Sequence, residues 1–223
     1  MADTIPPLRK NTEKVSSMNM KKCRQLLIAS TLISASAMAS ADSFSYNFLS
    51  ASISSFSSEI DGVDDDLEGS GIQLSFSHSL DDKLALIGGY GSASSDIYYE
   101  GYTFDIETDV INFGGLYHLT LNDRTDFFAG VKLVKGSVDM NYEGENLASE
   151  NVSGNTIFAG VRNMANEQLE LNGSFNRSTL EDDTNNIVAI GASYYVNTDF
   201  SLDAGYSFDS DTSAIAFGAT KRF

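Results

Sequence analysis

Residues 111–119 read INFGGLYHL, and their side chains alternate in character from one position to the next. The odd positions are apolar, aromatic or glycine, as at Ile111 and Phe113, while the even positions include Asn112 and His118. Successive side chains of a β-strand point to opposite faces of the sheet, so this period of two predicts a strand with one apolar face.

The same period continues through the chain after residue 41. It is clear at 72–76 (IQLSF) and again at 200–208 (FSLDAGYSF). Short turn signals rich in Asn and Asp, each followed by another strand pattern, lie at residues 81–83, 122–124, 165–168 and 197–199. Such residues favour tight turns, so the chain is predicted to fold as repeated β-hairpins.

The other connections are predicted to be longer, acidic loops. They lie at residues 57–68, 95–103, 141–154, 181–185 and 209–212. Short turns at one end and mostly longer loops at the other are typical of transmembrane β-barrels. Counting then gives ten strands, with eight as the alternative, at approximately 44–55, 70–80, 84–94, 104–120, 126–140, 155–164, 169–179, 186–196, 200–209 and 213–223.

The two faces of the strands indicate which side meets lipid. The polar face carries mostly small, uncharged side chains, which suit a crowded or wet lumen better than a solvated exterior. The apolar face is therefore predicted to face lipid, with interface tyrosines at Tyr90, Tyr117, Tyr194 and Tyr206. The predicted fold is all-β, a single antiparallel transmembrane β-barrel with both termini on the periplasmic side.

An export signal precedes the barrel. Residues 20–41 read MKKCRQLLIASTLISASAMASA, a basic segment, an apolar segment and small residues in turn. This order predicts a cleavable signal peptide within residues 1–41, cleavage after Ala41 and a barrel domain at 42–223. Residues 1–17 are polar, and represent either an upstream start-codon assignment or a long leading segment. Cys23, the only cysteine, lies in this leader, so the mature chain is predicted to form no disulfide.

The charge of the chain is unevenly distributed. Residues 1–41 hold six of the 14 Lys and Arg but only two of the 31 Asp and Glu. The mature chain is therefore strongly acidic and repels nucleic acid. An acidic run at 61–68 offers oxygen ligands but lacks the spacing of a calcium-binding loop, so it is interpreted as a solvated loop. No metal and no cofactor are predicted.

Some charged residues have the parity of the lumen. They are Lys132, Arg162, Glu170, Asp203 and Arg222. Arg162 ends one predicted strand and Glu170 begins the next across a short turn, which brings opposite charges together. Isolated charges inside a barrel are costly, so Lys132, Arg162, Glu170 and Asp203 are predicted to form a structural network that closes the lumen, in preference to a gating network.

The end of the chain carries a family resemblance. The last strand ends on Phe223, which resembles the carboxy-terminal signal that the barrel-assembly machinery reads in outer-membrane proteins; Lys221 departs from the usual aromatic or apolar choice. SYNFLSASIS, GIQLSFSHSLDDKLALIGGYG and LYHLTLNDRTDFFAGVKLVKG also resemble small OmpA/OmpX-like barrel domains. That resemblance implies an inward network of Arg or Lys with Glu or Asp that plugs the interior.

No catalytic pair stands out in the sequence. His78 has lipid-facing parity and His118 has lumen parity, and neither suits an Asp–His pair at the outer rim. The expectation is a non-enzymatic barrel of the cell outer membrane with a structural or surface-interaction role in the envelope. The alternative is a narrow porin-like channel for small solutes or cations. Expected partners are outer-membrane lipid, lipopolysaccharide and the barrel-assembly machinery, with the protein a monomer.

Overall fold

The period of two is realised as ten antiparallel β-strands. A computed structural model describes residues 44–59, 67–99 and 102–223, so the leader, its cleavage point and residues 61–66 of the acidic run lie outside the described residues. No helix in these ranges is long and apolar enough to cross a membrane. The strands are β1 (Phe48–Ser58), β2 (Leu67–Ser79), β3 (Leu84–Tyr99), β4 (Tyr102–Asn122), β5 (Thr125–Tyr142), β6 (Glu145–Met164), β7 (Leu169–Leu180), β8 (Asp183–Asn197), β9 (Phe200–Phe208) and β10 (Thr212–Arg222).

The sheet closes on itself. Each strand pairs with its neighbours in the chain, and β1 pairs with β10 from Phe48 opposite Arg222 to Ser58 opposite Thr212. The predicted ten-stranded, all-β antiparallel barrel is confirmed. We call the end that carries both chain termini the terminal end and the opposite end the distal end.

Short polar side chains hold the tight turns. The Asp81 carboxylate accepts hydrogen bonds from the backbone N–H groups of Lys83 and Leu84, both at 2.8 Å. The Asn166 side-chain oxygen accepts from Gln168 and Leu169 in the same way, both at 2.9 Å. Asx side chains that replace a backbone acceptor in this manner explain why Asn and Asp mark these turns in the sequence.

Two of the predicted long loops are wrong. Residues 95–103 are almost entirely strand, because β3 runs to Tyr99 and β4 begins at Tyr102. Residues 141–154 are also mostly strand: β5 and β6 are joined only by Glu143 and Gly144, both at positive φ (52° and 81°). The other distal turns that the structure describes in full, at 181–182 and 209–211, are short as well.

These loops were wrongly predicted because the polar and apolar side chains change faces part of the way along each strand. On β4 the outward Ile111 and Phe113 are exposed, but the outward side chains beyond them are Asp109 and Glu107, while the inward Ile106 is buried. The same exchange occurs between Leu133 and Lys135 on β5 and between Ile157 and Asn155 on β6. Polar residues such as Asp96 and Asn151 continue this solvated outer face through segments 95–103 and 141–154, which the sequence reading took for loops.

This exchange locates the membrane boundary. The outward apolar run of β4, from Ile111 to Leu121, spans about 25 Å along the barrel axis for a strand tilted by about 40°, the height of a hydrocarbon belt. Beyond the boundary, β3 to β6 continue as a wall, whereas β9 ends at Phe208. We call the parts of β3 to β6 beyond the boundary, residues 92–99, 102–109, 135–142 and 145–155, the distal wall.

The boundary can be tested on one strand. We expect Phe113→Arg to lower the free energy of unfolding by about 2–4 kcal/mol, because it places a charge in the lipid belt. Thr103→Arg, on the same outward face but beyond the boundary, should change it by less than about 0.5 kcal/mol. Equilibrium unfolding of each variant in lipid vesicles measures both values. Equal effects of the two substitutions would contradict this placement of the bilayer.

Candidate functional site in the lumen

The pair predicted from the sequence lies at the terminal end of the lumen. Arg162, near the end of β6, donates from Nε and Nη2 to the two carboxylate oxygens of Glu170 on β7, each at 2.9 Å. Both side chains are fully buried. The Tyr195 hydroxyl on β8 donates a third hydrogen bond, at 3.0 Å, to Glu170 Oε2. Planar bidentate pairing of this kind is the strongest form of Arg–carboxylate contact.

A second carboxylate, Asp126 on β5, gathers donors beside this pair. The Tyr46 hydroxyl donates to Asp126 Oδ2, and Thr120 donates to Oδ1 at 2.9 Å. His118 Nδ1 lies 3.5 Å from Asp126 Oδ2, and the His118 ring stacks on Tyr46 with centroids 4.0 Å apart. The Arg162 guanidinium lies 5.2 Å from the Tyr46 ring centre, so Tyr46 connects the two carboxylates.

The third carboxylate is Asp203 on β9. Ser201 donates to its Oδ1 at 3.0 Å, and Thr220 donates to its Oδ2 at 2.8 Å. Arg222 donates to the Ser201 hydroxyl at 3.0 Å and places its guanidinium 4.5 Å from the Tyr195 ring centre. These contacts continue the polar cluster around the lumen. We call the whole set the terminal network: Tyr46, His118, Thr120, Asp126, Arg162, Glu170, Tyr195, Ser201, Asp203, Thr220 and Arg222.

The four residues predicted for the network do not all lie together. Arg162 and Glu170 pair directly, and Asp203 is linked to them through Ser201, Arg222 and Tyr195. Lys132 lies further toward the distal end, with its Nζ 5.3 Å from the Phe158 ring centre. The joint role of the four residues as a structural network therefore stays a prediction. The contacts link Arg162, Glu170 and Asp203, whereas Lys132 lies at a different level of the lumen.

Among the members of the network that sequence reasoning missed are Asp126, Tyr195 and Tyr46. Asp126 shares the inward parity of Lys132, and Tyr195 shares that of Ser193, so extending the alternation would have found both. Tyr46 has the inward parity of Phe48, although residues 44–47, which were predicted to be strand, instead precede β1. This segment enters the barrel: Phe44 and Tyr46 are both buried, and Arg162 lies 4.8 Å from the Phe44 ring centre.

The distal half of the lumen is apolar. Buried side chains from every strand except β9 form a single cluster, the distal core: Phe56, Leu67, Ala93, Ile97, Phe104, Ile106, Val110, Val134, Val138, Met140, Val152, Leu180, Ile187 and Ala214. The expectation of a lumen lined by small polar side chains is wrong at this level. The strands there stand in water rather than lipid, so their apolar face turns inward as in a soluble protein.

A polar layer separates the distal core from the terminal network. Thr156 and Ser178 share a hydrogen bond of 2.9 Å, and Asn176 donates to Ser174 at 3.1 Å. Both amide atoms of Gln73 are buried without a hydrogen-bond partner in the protein. The interior therefore contains the terminal network, a polar layer and the distal core, together with a second apolar cluster in its terminal half that includes Phe48, Leu116 and Phe128.

The remaining candidate residues lie apart from one another. His78 points outward and is exposed, and His118 belongs to the terminal network. Phe223 is also outward, with its backbone N–H donating to the Asn47 carbonyl at 3.2 Å. Within residues 44–59, 67–99 and 102–223, no group of three or more His, Cys, Asp and Glu is placed to hold a metal ion.

Lys221, the departure from the terminal pattern, has a partner at the terminal end. Its ammonium contacts the Asp199 carboxylate at 3.0 Å, in the turn between β8 and β9. Hydrogen bonds from Lys221 and Thr198 hold the pKa of Asp199 below its usual range. Both groups are well exposed, so the contact fixes where the last strand meets the turn more than it adds to stability.

The fold and its apolar outer belt define a transmembrane β-barrel. The sequence profile of the outer membrane protein beta-barrel domain matches residues 26–208, and the chain belongs to that family. It is accordingly a protein of the bacterial outer membrane.

Solved barrels share the architecture at low sequence identity. The chain is similar to the transport unit of the autotransporter AIDA-I from Escherichia coli, with 11% identity, TM-score 0.53, and 79% and 89% of the two chains covered. It is similar to the translocator domain of autotransporter NalP from Neisseria meningitidis, with 11% identity, TM-score 0.50 and full coverage of both chains. The attachment invasion locus protein Ail of Yersinia pestis gives 14% identity, TM-score 0.41, and coverage of 80% and 100%. These likenesses concern the fold alone. No curated protein sequence matches this chain.

The Arg162–Glu170 pair can be tested by removing one partner. We expect Glu170→Ala to lower the free energy of unfolding by about 3–5 kcal/mol, because it leaves a buried guanidinium without its carboxylate. The matched control is Glu167→Ala in the exposed turn between β6 and β7, for which we expect less than about 0.5 kcal/mol. Denaturant titration of the folded barrels provides both numbers. A loss below about 1 kcal/mol for Glu170→Ala would show that the pair is hydrated or dispensable.

Proposed function

We propose that this protein is a closed, non-enzymatic barrel that anchors an extended surface wall in the outer membrane, with a structural or surface-interaction role in the envelope. The observation that carries the proposal is the filling of the lumen at two separate levels, by the terminal network and by the distal core. In outer-membrane barrels with an even number of strands both termini lie in the periplasm, which directs the distal wall outward from the cell.

The distal wall supports a role at the surface. Asp96 lies directly opposite Asp105 on its outer face, and Glu107 lies directly opposite Asp139. Like charges in direct cross-strand pairs destabilise a sheet, so these pairs do not serve the stability of the barrel. They give the wall a rigid acidic face that stands beyond the lipid, suited to contacts with the solvated layer around the cell.

The positions of the histidines support the absence of catalysis. His78 lies in the lipid-facing row of β2, where general acid–base chemistry has no aqueous substrate. His118 is buried between Tyr46 and Asp126, below the polar layer and the distal core. A catalytic base must reach the proton that it removes from a substrate, and neither histidine has that access.

The proposed partners follow from the surface. The apolar belt contacts outer-membrane lipid, and lipopolysaccharide surrounds the distal wall. The exposed Phe223 at the end of β10 is the group that the barrel-assembly machinery would read during biogenesis. The closed barrel has no free strand edge for a second copy to extend, which favours a monomer. The acidic exterior disfavours nucleic acid.

A narrow porin-like channel for small solutes or cations is the second candidate. The observation in its favour is the polar layer, where Gln73 and Asn112 keep buried amide atoms without a protein partner. A hydrated layer in mid-lumen is a feature of conducting barrels, and the acidic distal wall would attract cations. Conduction requires both the terminal network and the distal core to open.

Conductance in planar bilayers separates the two candidates. We expect the wild-type barrel to show no large steady conductance, because side chains fill a ten-stranded interior. Glu170→Ala should add brief openings only, since the distal core still closes the lumen. A large, steady, cation-selective wild-type conductance that Glu170→Ala leaves unchanged would favour the channel instead.

The role of Phe223 in assembly has its own test. We expect deletion of Phe223 to slow insertion and to leave unfolded precursor, seen as loss of the heat-modifiable band on gels of cell envelopes. Phe175→Ala, which removes another exposed lipid-facing phenylalanine from mid-barrel, is the control and should assemble normally. Normal assembly without Phe223 would show that the signal lies elsewhere in the chain.

A further inference from the structure

Residues 44–47, which we call the strap, lie outside the sheet and cross the terminal end of the barrel. The pairing of β1 begins only at Phe48, yet Phe44 and Tyr46 are both buried in the lumen. The Tyr46 hydroxyl donates to Asp126 on β5, and the Phe44 ring centre lies 4.8 Å from the Arg162 guanidinium on β6. In the closed order of ten strands β6 is five strands away from β1 in both directions, so the strap spans the whole width of the interior.

Backbone groups tie the strap to the barrel at its carboxyl end. The Asn47 side-chain oxygen accepts from the Ser79 N–H at 2.9 Å, and the Asn47 carbonyl accepts from the Phe223 N–H at 3.2 Å. The predicted cleavage after Ala41 leaves two residues before Phe44, so the other end of the strap is close to the amino terminus of the mature chain. A segment that is fixed at one end can detach without breaking the pairing of any strand.

Side-chain contacts hold the rest of the strap. The ring centres of Phe44 and Tyr46 lie 4.8 and 5.2 Å from the Arg162 guanidinium, and the Tyr46 ring stacks on His118 with centroids 4.0 Å apart. Arg162 Nη1 and His118 Nδ1 have no hydrogen-bond partner among the residues that the structure describes. Both nitrogens would bind water if the strap detached, and this hydration offsets part of the cost of exposing the two rings.

We propose that the strap is a reversible closure of the terminal end, which detaches from the lumen while the ten strands stay paired. When the strap is docked, Phe44 and Tyr46 complete the apolar cluster that also includes Ala85 and Phe128. When it is detached, the terminal network meets the water of the periplasm, and the distal core still closes the barrel toward the cell exterior. The opening exposes two aromatic side chains and separates no strand, so it requires less free energy than global unfolding.

Thiol labelling measures this opening, because the only cysteine of the chain is Cys23 in the leader. Two alanines on the inward face of β3, 2% and 5% exposed, provide matched reporters in the chain with Cys23→Ser. Ala85→Cys, the terminal reporter, lies in the cluster that the strap completes, and Ala93→Cys, the distal reporter, lies in the distal core. The folded protein from outer membranes is treated in a non-ionic detergent with a small water-soluble methanethiosulfonate, and mass spectrometry follows the modification.

We expect the terminal reporter of the otherwise wild-type barrel to be modified faster than the distal reporter. Phe44→Ala with Tyr46→Ala, the strap variant, should speed modification of the terminal reporter at least about tenfold, the ratio that corresponds to about 1.4 kcal/mol, and leave the distal reporter within about twofold. The matched control is Phe175→Ala with Tyr206→Ala. It removes the same two types of side chain from the lipid-facing surface and should change neither rate.

Three outcomes would overturn the proposal. A terminal reporter that reacts equally fast with and without the strap rings would show that side chains of the strands close this end. Faster modification of both reporters in the strap variant would show that the strap is needed for the whole fold and does not detach by itself. In the wild-type background, a terminal reporter that reacts no faster than the distal one would show that the strap stays docked. The strap variant should still show no large steady conductance, because the distal core is intact, so conductance tests the closed barrel separately from the strap.

Discussion

Every backbone N–H and C=O of a strand that crosses hydrocarbon needs a partner, because lipid offers none. The pairing of β1 with β10 along the whole of β1 meets this requirement, and the rest of the structure depends on it. Closure fixes the number of strands, and the number of strands sets the width of the interior. An interior of this width is narrow enough for side chains such as Arg162 and Phe128 to fill it.

The same closed sheet is surrounded by lipid along one part of its length and by water along the rest. At the level of Phe113 the outer face meets lipid and the inner face can hold charge. At the level of Glu107 the outer face meets water and the inner face, represented by Ile106, holds an apolar core. One alternating strand satisfies both environments simply by exchanging the polarity of its two faces. In the distal part of the barrel the apolar face is therefore buried inward and the polar face meets water, as in a soluble β-protein. The hydrogen-bonded sheet continues through both parts without a break.

The sequence predicted the strand number, the facing of the belt and the Arg162–Glu170 contact, because each follows from period two and short turns. Phe113 and Leu202 point outward and Ser174 points inward, as the alternation predicts. The distal wall could not be predicted in the same way. Asp96 and Asn151 have the polarity of loop residues, and only the sheet shows that their neighbours Ile97 and Val152 are buried. The role of Tyr46 was also out of reach, because its parity predicts only that it faces inward with Phe48, and not that its hydroxyl reaches Asp126 on β5.

At the level of the membrane, the lumen holds equal numbers of positive and negative side chains. This equality explains why the charged side chains of the terminal network can be buried. A lone buried ion costs several kcal/mol, and a paired one costs much less. Each carboxylate in the described lumen there has a cation, a hydroxyl or both within contact, and the cations also lie over aromatic rings. The charged residues at this level are three cations, Lys132, Arg162 and Arg222, and three anions, Asp126, Glu170 and Asp203. Because the two signs match, removing a single charge disturbs the interior more than removing an opposite pair would. We therefore expect the network to respond as one unit when any one of its charges is removed.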